Sequence, residues 1–117
     1  MISFGNRRIF VANELVDMRK SFDTLAIYAE CILKKSPLHG DAFVFIGKRY
    51  NRLKVLIWED SGFWLLSKRL SQGTFKFKHD KNSNCTSLSP AQWHMLLEGI
   101  VIKKARKLKR FNGKKPL

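Results

Sequence analysis

Lys48, Arg49 and Arg52 crowd around Tyr50 with no acid among them. Ammonium and guanidinium groups packed this densely on one loop suit phosphate, and an aromatic ring set among them suits stacking on a base. Lys54, Lys68 and Arg69 follow close behind. If Asp60-Ser61-Gly62 forms a three-residue loop, with Gly62 taking the positive φ, then Lys54 faces Lys68 directly, Trp58 faces Trp64 and Leu56 faces Leu66. Two lysines so placed repel each other by a few tenths of a kcal/mol, and an anion between them would relieve the cost. A second basic group closes the chain: Lys103, Lys104, Arg106, Lys107, Lys109 and Arg110, with no acid nearby.

These clusters sit in a strongly basic chain. Its 117 residues hold 23 Lys and Arg against 9 Asp and Glu, a formal charge of +14. Residues 1–100 carry 15 basic and 9 acidic residues, a balance of +6, and residues 101–117 carry 8 basic and none acidic. Such a balance speaks of partners rather than of fold, and nucleic acid is the first candidate. Nothing in the cations themselves selects a base sequence.

The residue types that serve catalysis stand in ordinary places. No P-loop, GxSxG, HExxH or zinc-ligand spacing is present. Asp17, Asp23, Glu30, Asp41, Glu59, Asp60, Asp80 and Glu98 fall at helix starts, turns and solvated faces, so no catalytic residue, metal or cofactor is expected. His39 and His79 lie in polar loops and His94 beside an apolar helix face. Cys31 and Cys85 are far apart and expected to be reduced thiols. No apolar run reaches 18 residues and no signal layout opens the chain, so a cytoplasmic protein without membrane contact is expected.

The elements that position the cations can be read from pattern. Ala42–Ile46, Leu53–Glu59 and Phe63–Leu70 are apolar runs separated by Gly-, Asn-, Asp- and Ser-bearing joints, which predicts an antiparallel meander. Arg8–Ala12 predicts a further strand, and Thr74–Lys78, alternating aromatic and Lys, an edge strand. Asp17 is placed to cap a long helix from Met18 to about Lys34, whose apolar residues recur every three or four positions. Ser89-Pro90-Ala91-Gln92 reads as a capping box opening a short helix, with Trp93, Leu96 and Leu97 on one face and Gly99 at its end. The fold class is therefore α+β: an antiparallel sheet of four to five strands, one long helix packed on it and a short C-terminal helix. One domain should span residues 1–100, with a basic, flexible tail over 101–117.

Several of these segments resemble one family. Asp17-Met18-Arg19-Lys20-Ser21-Phe22-Asp23-Thr24-Leu25 is similar to its DMRKGFDGL-like segment, with Ser21 where Gly is frequent. Phe43-Val44-Phe45 with Gly47-Lys48-Arg49, Lys54–Asp60 and Gly62–Leu70 resemble its hairpin strands, and Leu88–Gln92 with Leu96–Ile100 its closing helix. The family is the accessory protein TnpB, the second open reading frame of the insertion sequence 66 group. The resemblance covers about residues 1–100, with the motifs in order. It implies a role in DNA transposition beside a separate transposase, and no established catalytic residues. Together these readings predict a non-catalytic accessory factor that binds DNA through Lys48, Arg49, Tyr50, Arg52, Lys54, Lys68, Arg69 and the basic tail. The alternative is an interaction module whose main partner is the transposase.

Overall fold

A computed structural model describes residues 4–99. Among these, five strands form one sheet in the order β4-β3-β2-β1-β5. They are β1 (Ile9–Ala12), β2 (Ala42–Ile46), β3 (Arg52–Glu59), β4 (Gly62–Arg69) and β5 (Cys85–Leu88). Helix α1 (Phe22–Cys31) lies between β1 and β2 in sequence, and α2 (Pro90–Leu97) follows β5.

The sheet is mixed, which corrects the expectation of a purely antiparallel one. β1 pairs with β2 in parallel, Phe10 beside Phe43, and the other neighbours are antiparallel. A parallel partner needs a crossover, and the segment containing α1 supplies it. The interior strands β1 and β2 are buried along their whole length. That burial is why Ile9–Ala12 and Ala42–Ile46 read as unbroken apolar runs rather than as alternation.

Each face of the sheet carries its own core. Ile9, Val11, Val44, Leu53, Val55 and Ile57 pack with Phe75, Trp93, Leu96 and Leu97 on the α2 side. Phe10, Phe43, Phe45 and Leu56 pack with Leu25, Ala29 and Leu33 on the α1 side. The two helices therefore cover opposite faces of one sheet.

The helix expected from Met18 to Lys34 is shorter, ten residues beginning at Phe22, with Ser21 at its N-cap. Asp17 does not cap it; its carboxylate instead accepts the Arg19 backbone N–H at 2.9 Å and closes a turn ahead of the helix. At the far end Lys34 takes a left-handed conformation (φ 60°), and the Lys35 N–H donates to the Ala29 carbonyl at 3.1 Å. The bond reaches one residue further back than the six-to-one bond of a Schellman end, with the left-handed Lys34 enclosed in it. The capping box at α2 forms as read: Gln92 N donates to Ser89 Oγ at 3.1 Å, and Ser89 N to Gln92 Oε1 at 2.9 Å.

Two further expectations need correction. Thr74–Lys78 is not a strand: Phe75 is buried under the α2 face, and its N–H donates to the Tyr50 carbonyl at 2.6 Å. The edge of the sheet on that side of β1 is β5. The β3–β4 register is also displaced by one residue. Glu59 pairs with Gly62 across a two-residue loop in which Asp60, not a glycine, holds the positive φ of 59°. Trp58 consequently faces Phe63, with ring centroids 5.0 Å apart, and Ile57 faces Trp64. Trp64 lies on the α2 side, 58% exposed, with its indole N–H donating to Glu59.

Candidate nucleic-acid interface

The one-residue displacement rearranges the cations. Side chains alternate along a strand, so a shift of one sends each to the other face. Lys54 now pairs with Ser67, and Lys68 with Leu53. Lys54 is half-buried, its ammonium donating to the Lys20 carbonyl at 2.7 Å. Lys68 lies on the opposite face and donates to the Leu97 carbonyl at 3.3 Å. The expected facing of Lys54 and Lys68 is thus replaced by a facing of Arg52 and Arg69.

Arg52 and Arg69 open onto a groove of about 630 Å³ together with Lys48, Arg49 and Arg19. Three turns build it. The β2–β3 turn is held by Gly47 N donating to the Arg52 carbonyl (3.0 Å) and Tyr50 N to the Gly47 carbonyl (2.9 Å). The end of β4 is fixed to that turn by Leu70 N donating to the Asn51 carbonyl at 2.8 Å. The 16–19 segment joins them because Val16 N donates to the Ile46 carbonyl at 2.9 Å, and Val16 bridges to Gly47. Gly47 is needed at this junction: a Cβ there would stand 2.6 Å from Met18 Cγ.

The charge in the groove is poorly compensated. Asp17 is the acid in its lining, and both its oxygens are taken by Arg19, with Nη2 to Oδ2 at 2.6 Å and Nε at 3.0 and 3.1 Å. Arg19 thereby holds the Asp17 carboxyl well below the usual carboxylate range. Lys48, Arg49, Arg52 and Arg69 are all exposed, and none of their side chains forms a salt bridge with a described residue. Directly opposed like charges destabilise a strand pair, here by a few tenths of a kcal/mol since water screens both groups. An anion seated in the groove would reverse the sign of that term.

Tyr50 lies beside the groove in a left-handed conformation (φ 59°), partly buried against the α2-side core, and its ring meets His79 edge-on at 5.6 Å. Lys103, Lys104, Arg106, Lys107, Lys109 and Arg110 lie outside the described residues. Arg19 and Asp17 were not among the expected site residues. Only the long-range bond from Val16 to Ile46 brings them to the groove, and no local spacing announces it. Among the described residues no three His, Cys, Asp or Glu side chains gather as metal ligands. No helix among them is long and apolar enough to cross a membrane.

A mixed sheet with a helix on each face and a groove lined by exposed cations at one end thus defines a small α+β protein. Residues 7–107 match the model of the IS66 Orf2-like protein family, and the chain belongs to that family of insertion-sequence accessory proteins. Two relatives come from Sinorhizobium fredii (strain NBRC 101917 / NGR234). The uncharacterized protein y4hO is 41% identical over 96 residues, spanning 81% of this chain and 82% of its own. The uncharacterized protein y4jC is 36% identical over 93 residues, spanning 80% and 79%. No solved structure matches the chain.

Proposed function

We propose that the protein is a non-catalytic accessory factor of DNA transposition that binds DNA through the basic groove and acts in the cytoplasm beside the transposase of its own element. The observation that supports this reading is the convergence of Lys48, Arg49, Arg52 and Arg69 on one groove where, among the described residues, no carboxylate pairs with them and Asp17 is taken by Arg19. The basic residues from Lys103 to Arg110 follow the folded body in sequence and add further phosphate contacts. Contacts of this kind release counterions, so affinity falls with salt at a slope of roughly −0.9 per phosphate neutralised. Replacing Arg49 and Arg52 by Ala should weaken binding and flatten that slope in a salt titration by gel shift. An unchanged slope and affinity would remove the groove from the interface.

A second reading has its own support. Ile27 of α1 and Leu38 of the turn that follows are 59% and 55% exposed, and Phe22 and Ile32 at the two ends of α1 are 43% and 41% exposed. Apolar surface of this kind suits a protein partner, and the transposase is the natural one. A pull-down of the transposase that survives nuclease treatment would favour direct protein contact over a DNA bridge.

A further inference from the structure

We infer that Arg52 and Arg69 form a two-guanidinium clamp on a single phosphate, which grips one phosphodiester of a nucleic-acid strand without reading its bases. This deepens the groove reading above and rests on it. The clamp is defined by register rather than by charge density. Leu70 N donates to the Asn51 carbonyl, so the next pair inward, Arg52 with Arg69, is a non-hydrogen-bonded pair. The α-carbons of such a pair stand about 4.5 Å apart and its side chains rise together from one face. Both guanidinium groups are exposed and without a salt bridge among the described residues.

The backbone beneath them is already fixed. Arg52 is tied through its carbonyl to Gly47, and the turn before it through Tyr50 to Phe75. A guanidinium presents a planar fork that meets phosphate oxygens two at a time, whereas an ammonium acts as a point charge. Among the described residues, the groove around the clamp has Val16, Met18 and Leu70 for apolar lining and no aromatic ring. Base stacking therefore has no platform there, and the contacts fall on the backbone.

The clamp and a diffuse basic patch differ in what a charge-conserving change does. In fluorescence anisotropy with the full chain and a mixed-sequence DNA oligonucleotide, Arg52→Lys and Arg69→Lys should each weaken binding about tenfold. The double variant should be little worse than either single one, because the two groups act as a unit. Lys81→Arg, at an exposed lysine outside the groove lining, should change affinity less than twofold. Binding by the Arg52→Lys/Arg69→Lys protein within twofold of the wild type overturns the clamp and leaves the basic-groove reading intact. A titration with inorganic phosphate, followed by the arginine Nε–H NMR signals, separates the sources of the anion. Arg52 and Arg69 should shift together with one affinity, while Arg49 should not follow. If phosphate shifts that pair but no DNA binds, the clamp stands as a site for free phosphate and the nucleic-acid reading falls. If phosphate moves all arginine signals no differently from chloride, the clamp is refuted.

Discussion

Asp17 receives Arg19 through both carboxylate oxygens, at 2.6 to 3.1 Å, on the lip of the basic groove. The pair subtracts one cation from a groove whose other charged lining residues, among those described, are all positive. Asp17→Asn should keep the turn, since an amide oxygen can still accept the Arg19 backbone N–H, while releasing Arg19 toward an incoming anion. DNA affinity should rise roughly three- to fivefold at low salt, and the gain should shrink as salt is added. Acid should not mimic the substitution. The carboxyl sits well below its ordinary value of 3.8, so it stays ionised at pH 5. Binding isotherms for both proteins at pH 5 and pH 7.5 check the two statements together.

Gly47 couples the groove to the body of the fold. A Cβ at this position meets Met18 Cγ at 2.6 Å, so Gly47→Ala must displace Met18 or open the junction between the 16–19 turn and the β2–β3 turn. The expected loss is about 1–3 kcal/mol of stability, as for other overpacked sites. Adding Met18→Ala should recover part of it by vacating the space. Chemical denaturation of the single and double variants measures the coupling.

His79 gives the fold a dependence on pH. Its ring sits between Tyr50 and Phe77, with Phe77 edge-on at 4.8 Å, and burial pushes its pKa below the ordinary 6.5. In this window the unfolded chain binds more protons than the folded one. The His79 contribution is therefore complete above about pH 6.5 and declines as pH falls toward the folded-state pKa. Urea midpoints should drop between pH 7 and pH 5.5, and His79→Phe should remove that part of the slope.

Ser89 and Gln92 exchange two hydrogen bonds at the start of α2. Ser89→Ala should cost about 1 kcal/mol. In a domain of this size that lowers the melting temperature by roughly 4–8 °C. Thermal denaturation by circular dichroism reads it directly. DNA affinity should be unaffected, since α2 covers the face of the sheet opposite the groove.

What the sequence makes legible and what it hides divide along the same physical line. The α2 cap was readable because Ser89, Pro90 and Gln92 carry their whole reason within four neighbouring residues. The apolar runs of β1 to β4 were readable because burial imposes their composition. The β3–β4 register was not. Gly62 offers itself for the positive-φ position, yet Asp60 takes it, a choice Asp tolerates better than most residues. That single substitution of roles exchanged the expected Lys54–Lys68 pair for Arg52–Arg69. The shortened α1 has a similar origin: the Met18–Phe22 spacing fits a helix, but Asp17 closes a local turn through Arg19 first. The parallel pairing of β1 with β2 depends on where a crossover returns, and no local pattern encodes that. The alternation in Thr74–Lys78 suggests a strand but reflects the burial of Phe75 in the core on the α2 side and the packing of Phe77 against that core.

The position of β1 fixes an order of events during synthesis. It is made before the other four strands, yet one neighbour, β2, arrives only after the crossover, and the other, β5, comes last of the five. Contacts so distant along the chain form late and slowly. A nascent polypeptide interrupted before Cys85 would leave one flank of Ile9–Ala12 bare, an apolar rim open to pairing with any other extended chain. The basic groove is built from residues 16–71, so every residue that lines it is made before the strand that completes the sheet.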